Sequence, residues 1–243
     1  MAASLGWSPQ LVLAPLLRRL APGLEIALRL YHVKPRSSYV EEKLRETLEE
    51  IERVTRYMQG VTLLGPMGLN PDQEPGRWAL EIAKDLSSHV RDKGFGRLAL
   101  VAAGGPRPLA TVIALLGAAA AYLAPPGTVE ATVVFEDDRR EYPLPPVPVR
   151  SFTGEAKAEV AMILIGLGEA GYREIAEYMR SRGASRDETT VKRLLHELQR
   201  DRLVSCERRG RKTVCRPTGG LALLLAAEEL AEALTRAQGR DVA

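Results

Sequence analysis

Through the first 150 residues, short aliphatic runs alternate regularly with longer segments of helical periodicity. The aliphatic runs predict buried β-strands, and the segments between them predict helices. The clearest helix is the second, in which apolar residues recur at spacings of three and four from Val40 to Val54. The predicted strands cover residues 2–5, 24–33, 61–65, 97–103 and 130–136, and the predicted helices cover residues 9–19, 39–58, 76–92 and 108–122.

Strands that alternate with helices favour right-handed βαβ units and a mainly parallel sheet. We therefore predict an α/β, Rossmann-like N-terminal domain, with residues 140–144 as an antiparallel edge strand. Four prolines in the six residues 143–148 then interrupt the alternation, because proline continues neither a helix nor a central strand. The predicted organisation is a domain at 1–142, a linker at 143–153 and a mostly helical second domain at 154–243.

The distribution of charge separates the two predicted domains. The formal net charge is only +3, which by itself argues against a nucleic-acid partner. Residues 1–149 carry 17 basic and 17 acidic side chains, whereas residues 150–243 carry 17 and 14. Within residues 200–216 there are seven basic side chains against two acidic ones. The excess is thus local, as expected for a domain that contacts a polyanion.

The second domain has the order of elements of a winged helix-turn-helix. Helices are predicted at residues 155–167 and 172–181, and a third helix extends to Arg200, with Ser185 as its N-cap and Glu188 as the capping-box partner. Two short strands, 203–207 and 213–216, then enclose a basic turn. Residues 190–204 (TVKRLLHELQRDRLV) resemble the recognition helix and first wing strand of archaeal and bacterial winged-helix transcription regulators, although Arg202 stands where many relatives carry glycine.

This arrangement predicts a DNA interface. An α-helix fits the major groove, and a basic hairpin can reach phosphates or the minor groove. The alternative is a helical protein–protein module whose charges are only solvated. The predicted DNA contacts are Ser185, Arg186, Thr189, Thr190, Lys192, Arg193 and His196 on the third helix, and Arg208, Arg209, Arg211 and Lys212 on the hairpin.

The two cysteines lie on the predicted wing. If Gly210 and Arg211 form a two-residue turn, Cys206 and Cys215 are directly opposed, close enough for a disulfide. The alternative is a pair of reduced thiols that pack against each other.

A GxGxxG motif at residues 166–171 follows the apolar run 160–165, as in a dinucleotide-binding fingerprint. However, Ala156, Val160 and Leu164 also share one helical face, and residues 182–188 contain little that could form a second buried strand. We therefore expect no dinucleotide cofactor, and no metal site, in this chain.

Two loops of the first domain predict a ligand site. In a parallel α/β sheet, ligands bind where strands end and helices begin. Glycines at such positions let backbone N–H groups approach a phosphate, and an arginine adds a charged fork. The alternative is a pair of purely structural glycine turns. The predicted ligand residues are Ser4, Leu5, Gly6, Trp7 and Ser8 in one loop and Gly104, Gly105, Pro106 and Arg107 in the other.

The paired loops, the α/β pattern, the proline linker and the winged helix together resemble the archaeal CRISPR-associated transcription regulators. These proteins join a CRISPR-associated Rossmann-fold (CARF) domain to a C-terminal winged helix. The most specific match is the segment GGPRPLATVIALLG at residues 104–117, whereas Ala102 and Ala103 stand where many relatives have polar residues. The resemblance implies that a homodimer binds a cyclic oligoadenylate, usually cyclic tetra-adenylate, through both loops and binds DNA of CRISPR-related genes.

Two further functions remain open. Some CARF proteins are metal-independent ring nucleases that cleave the cyclic oligoadenylate, and a regulator of this build could also sense another nucleotide. We expect a binding protein without an activity of its own, because no histidine or lysine lies in either loop. The apolar helices at 109–123 and 221–234 are either dimer elements or ordinary core. No segment is long enough to cross a membrane, and the expected location is the cytoplasm.

Overall fold

The fold was analysed in a computed structural model that describes residues 1–137, 139–152, 155–183, 187–210 and 212–240. The chain forms two compact units. The first comprises Met1–Val149 together with the C-terminal part of the last helix from Ala226 onwards, and the second comprises Arg150–Leu225. The predicted second domain covers residues 154–243, and the residues of its last helix are divided between the two units.

A six-stranded sheet is the centre of the first unit, and its strand order is β3-β2-β1-β4-β5-β6. Neighbouring strands are parallel except β5 and β6, which are antiparallel. This confirms the predicted mainly parallel sheet with an antiparallel edge strand. The strands are β1 (Ala2–Ser4), β2 (Ile26–Val33), β3 (Val61–Leu69), β4 (Leu98–Ala102), β5 (Val129–Val134) and β6 (Glu141–Pro143).

Four helices connect the parallel strands, within a few residues of the predicted bounds. They are α1 (Gln10–Arg19), α2 (Ser38–Thr55), α3 (Pro75–Lys93) and α4 (Arg107–Leu123).

Strand β3 is longer than predicted. The prediction ended it at Gly65, but the strand continues through Pro66 to Leu69. β3 is an edge strand, where proline is tolerated, and its register with β2 shifts between Leu28 and Leu30.

The direction of the connections reverses between β1 and β4. β1 is followed by α1 and then β2 on one side of it, whereas β4 is followed by α4 and then β5 on the other side. A crevice forms at the carboxyl ends of the strands at such a topological switch point. Below it, buried residues of α1 such as Leu11 and Leu16 pack in one cluster with Leu28 and Leu30 of β2. The loops that begin at Leu5 and Ala103 therefore lie at the position where doubly wound domains bind ligands.

The second unit has the predicted order of elements, with one addition. A short strand before α6 pairs with β9, so the small antiparallel sheet has the order β7-β9-β8. The elements are α5 (Glu155–Leu167), β7 (Ala170–Gly171), α6 (Tyr172–Ser181), α7 (Glu188–Arg200), β8 (Val204–Arg209), β9 (Lys212–Pro217) and α8 (Gly219–Arg240).

The GxGxxG motif follows a helix and not a strand. Residues 160–165 belong to α5, with Val160 and Leu164 buried on one face. Gly168 ends this helix with a φ of 78°, and its N–H donates to the carbonyl of Leu164. The motif therefore lacks the strand–turn–helix context of a dinucleotide site, as the helical periodicity predicted.

The N-cap of α7 differs from the prediction. The helix begins at Glu188, and the carboxylate of Asp187 accepts a hydrogen bond of 2.7 Å from the N–H of Thr190. This bond lowers the pKa of Asp187, because it stabilises the ionised carboxylate. Asp187 therefore caps the helix in place of Ser185, which lies outside the described residues.

Candidate ligand loops and nucleic-acid interface

The two loops predicted to bind a ligand lie side by side at the switch point. The Ser4 hydroxyl accepts a buried hydrogen bond of 2.9 Å from the N–H of Ala103. The backbones also approach closely, since a Cβ built on Gly6 or on Gly105 would lie closer than 3.0 Å to backbone atoms of the opposite loop. Gly105 has a φ of 85°, which also favours glycine. The structure therefore joins the predicted loops into one surface.

This surface presents unpaired donors. Helices α1 and α4 both begin here, at Gln10 and Arg107, and helix N-termini favour anions. Among the described residues, the Arg107 side chain contacts no acceptor and is exposed. Three backbone N–H groups of the exposed or half-buried loop residues likewise donate to no other protein atom in the described part of the chain, namely those of Trp7, Gly104 and Gly105.

The predicted ligand residues divide into two groups. Ser4, Leu5 and Gly6 are buried, so they position the loops and do not present side chains to solvent. Ser8 is half-buried, and its hydroxyl donates to Gln10. The surface itself consists of Trp7, Gly104, Gly105, Pro106 and Arg107, all partly or fully exposed.

Helix α2 supports the first loop through a contact that the sequence analysis missed. The Thr47 hydroxyl is 3.3 Å from the carbonyl oxygen of Trp7 and 2.9 Å from that of Lys43. Tyr39, Lys43 and Thr47 are spaced by four residues, so they share one helical face. No local pattern in the sequence indicates this pairing, because Thr47 and Trp7 are far apart along the chain.

The third helix of the second unit exposes the residues predicted to contact DNA. Val191, Leu194 and Leu198 are buried, whereas the opposite face is open to solvent. Tyr172 lies beside His196, with ring centroids 6.0 Å apart. The predicted residues on the exposed side are Thr189, Lys192, Arg193 and His196, and Thr190 is half-buried. Ser185 and Arg186 lie outside the described residues.

The predicted wing is a regular hairpin closed by a disulfide. Strands β8 and β9 pair from Val204 opposite Pro217 to Arg209 opposite Lys212. Cys206 and Cys215 are opposed, with Cα atoms 4.0 Å apart, and are joined in a disulfide. The structure thus favours the disulfide over two thiols. Arg208, Arg209 and Lys212 lie at the exposed end of the hairpin, whereas Arg211 lies outside the described residues.

Acidic neighbours already bind some of the basic side chains. Arg193 is 3.1 Å from Glu197 on the same helix. Glu169 lies 2.6 Å from Arg216 and 3.5 Å from Arg209, and its hydrogen bond and charge interaction with Arg216 lower its pKa. Lys192 has no ion-pair partner among the residues the structure describes. Arg209 also pairs with Glu207. A DNA phosphate would therefore compete with Glu197 for Arg193, and with Glu169 and Glu207 for Arg209.

A buried lysine is paired with acidic side chains at the C-terminal end of helix α7. Lys157 on α5 is buried and lies 3.1 Å from Asp201 and 3.9 Å from Glu197. A buried charge is costly unless it is paired, so this cluster determines how α5 and α7 pack. The sequence analysis did not identify Lys157, because a single lysine on an apolar helix gives no signal of its partners.

Comparison with known proteins identifies the C-terminal part of the chain. Residues 153–236 match the protein family described as penicillinase repressor. A comparison with curated proteins finds no match. Among the residues described, no helix is both long and apolar enough to span a membrane. The chain therefore carries a C-terminal winged-helix DNA-binding regulator domain of the penicillinase repressor type, preceded by an α/β domain with a mainly parallel sheet.

Proposed function

We propose that the protein is a transcription regulator whose α/β domain binds a cyclic oligoadenylate, with cyclic tetra-adenylate as the first candidate. The observation that carries the proposal is the row of unpaired backbone donors at the switch point, on the loops around Gly6 and Gly105. The winged helix of the protein would then bind DNA near CRISPR-related genes. Both assignments extend the resemblance of the two loops and the linker to CARF regulators.

The chemistry of the loops suits a nucleotide with several phosphates. Unpaired N–H groups at two helix N-termini can bind phosphate oxygens, and Arg107 can add two parallel hydrogen bonds. Trp7 is exposed next to these donors, and an exposed indole can stack on a base. Phosphate binding and base stacking on one surface favour a nucleotide over a simple anion.

A homodimer would complete the site. A cyclic oligonucleotide has repeated identical units, so two copies of this surface related by a two-fold axis can each bind half of the ring. The same axis would place two recognition helices on a palindromic operator. Ligand binding would then change DNA affinity by favouring one arrangement of the dimer.

Calorimetry on the full-length protein tests the ligand. Cyclic tetra-adenylate should bind with one ring for two chains, and inorganic phosphate should bind far more weakly. Arg107→Ala should weaken binding by about tenfold, whereas Arg56→Ala, an exposed arginine that follows α2, should not. Absence of binding in the wild-type protein would refute the proposal.

We propose further that the protein binds the ring without cleaving it. Chromatography after incubation with cyclic tetra-adenylate should return the intact ring. Rapid linearisation would instead assign a ring nuclease, and binding of a different nucleotide in place of the ring would assign another ligand to the same loops.

A further inference from the structure

The first unit contains a cavity at the edge of the sheet opposite the ligand loops. Its volume is about 350 Å³, within the range of small-molecule sites. Near the amino ends of β2, β4 and β5, the cavity is lined by Ile26, Leu98 and Thr128. At the end of α3 it is lined by His89 and Val90. The cavity is therefore distinct from the loops at the carboxyl ends of the strands.

Most of the wall is apolar. Aliphatic and aromatic side chains from the sheet, from α3 and from the segment after α3 form a surface suited to a hydrophobic body. The apolar side chains of this wall include Ile26, Leu64, Leu86, Val90, Phe95 and Leu98.

Arg29 also lines the cavity, and the carboxylate of Asp85 neutralises its charge. Its Nε and Nη2 atoms donate to the two carboxylate oxygens of Asp85, at 2.8 and 2.7 Å. Its Nη1 atom donates to the carbonyls of Leu64 and Gly65. Tyr31 adds a hydrogen bond of 2.6 Å to the same carboxylate. Because these partners already occupy Arg29, a ligand in the cavity would have to bind elsewhere.

Within the described part of the chain, Arg19 and Arg97 carry guanidinium donors without an acceptor, and the Met1 ammonium, which donates to the carbonyl of Ala27, also lines the cavity. The terminal nitrogens of Arg19 donate to Pro15 and Glu130 and contact Glu141, but its Nε atom is buried without an acceptor. The Arg97 side chain is exposed at the mouth of the cavity and has no polar partner among the described residues, so its donors are free for a ligand. The carboxylates in the wall do not supply acceptors for these unpaired donors, since Glu130 is bound by Arg19 and Glu25 is exposed.

We propose that this cavity binds a small organic acid, with its apolar body against the wall and its carboxylate near Arg19 and Arg97. A buried N–H without an acceptor is unfavourable, and a carboxylate can supply acceptors to both guanidinium groups. An apolar wall alone would accept any hydrophobic molecule. The unpaired guanidinium donors select an anion, and the apolar wall excludes a strongly hydrated one such as free phosphate.

Calorimetry and thermal unfolding of the full-length protein test this site with three probes, 1-naphthoate, 4-phenylbutyrate and octanoate. At least one probe should bind with one molecule per chain and raise the unfolding temperature. The neutral 1-naphthalenemethanol should bind at least about tenfold more weakly than 1-naphthoate if that acid binds. Arg97→Ala should weaken binding of the acid by about tenfold, a loss of roughly 1.4 kcal/mol, and Arg56→Ala should leave it unchanged.

A second variant fills the space. Ala99 lines the cavity, so Ala99→Leu should abolish binding of the acid, whereas Ala121→Leu on α4 should not. Binding of none of the three acids would overturn the proposal, as would equal binding of acid and alcohol or an unchanged affinity in Arg97→Ala. Cyclic tetra-adenylate provides an independent readout of the switch-point loops, so either site can fail without the other.

Discussion

The Ser4 hydroxyl accepts a hydrogen bond of 2.9 Å from the backbone N–H of Ala103, and this buried bond links the ends of β1 and β4. It fixes one loop against the other at the point where the sheet reverses its connections. The backbones at Gly6 and Gly105 also approach so closely that neither residue has room for a Cβ atom. The donors that face solvent are therefore held in place before any ligand arrives, which lowers the entropic cost of binding.

Ser4→Ala should destabilise the protein by about 1–3 kcal/mol, because it leaves the buried N–H of Ala103 without an acceptor. Urea unfolding of the full-length chain measures this change. Ser8→Ala is the matched control, since the hydroxyl of the half-buried Ser8 donates only to the side chain of Gln10 among the described residues. It should change the free energy of unfolding by less than about 0.5 kcal/mol. Equal stability of the two variants would contradict a structural role for Ser4.

The sequence determines the sheet and the place of the loops through general rules. Alternating strands and helices predict right-handed crossovers, and crossovers place the loops after residues 5 and 103 at one edge of the sheet. The bounds of β3 could not be predicted in this way. Whether Pro66 ends a strand depends on whether that strand lies at the edge, and only the assembled sheet shows this.

Contacts between distant residues account for most of the remaining differences. Thr47 and Trp7 lie on separate elements, and the pairing of Glu169 with Arg216 joins the start of one strand to another strand. Nothing in the neighbourhood of either residue indicates its partner. Ser185 and Asp187 are both good N-caps by type, so the choice depended on where α7 begins, and the structure assigns Asp187.

Trp7 should report ligand binding by its fluorescence. The protein has two tryptophans, of which Trp7 is 63% exposed and Trp78 is 5% exposed. Stacking of a base on Trp7 should quench its emission, and Trp7→Ala should weaken binding of cyclic tetra-adenylate by about 1–3 kcal/mol. Trp78→Phe should retain the quenching and Trp7→Phe should lose it. Quenching that persists in Trp7→Phe would show that the base does not contact Trp7.

Arg202→Gly should stabilise the second unit. Arg202 has a φ of 58°, and its N–H and that of Leu203 donate to the carbonyls of Gln199 and Leu198 in a Schellman motif. Glycine adopts this left-handed conformation at lower cost, so the gain should be up to about 1 kcal/mol. Arg200→Gly, inside the last turn of α7, should instead destabilise by about 1 kcal/mol. Thermal unfolding of both variants should therefore show shifts of opposite sign.

Removal of single arginines should change the salt dependence of DNA binding. Arg193→Ala and Arg209→Ala should each weaken binding to a random-sequence duplex and lower the slope of log K against log salt by about one, if each side chain contacts a phosphate. Fluorescence anisotropy at several KCl concentrations measures this slope. Arg56→Ala is the control, since Arg56 is exposed and lies in the first unit, outside the residues that match the regulator family. Unchanged affinity in both test variants would refute the assigned DNA interface.

Reduction of the wing disulfide should weaken DNA binding. Cys215 is buried on β9, the central strand of the small sheet, and Cys206 lies on β8. Breaking the link leaves the hairpin held by backbone hydrogen bonds and by the ion pairs of Glu169 with Arg209 and Arg216. A disulfide that closes a loop of this length contributes about 2–3 kcal/mol. Dithiothreitol should therefore lower both the unfolding temperature and the affinity for DNA.

The variant that replaces both Cys206 and Cys215 by serine separates the disulfide from other effects of the reductant. It should show the weaker DNA binding without dithiothreitol and no further change when dithiothreitol is added. If the variant binds DNA as tightly as the oxidised wild type, the hairpin keeps its shape without the covalent link. Electrophoretic mobility shifts with a fixed duplex, in parallel with thiol alkylation and mass measurement, relate the affinity to the redox state of the same sample.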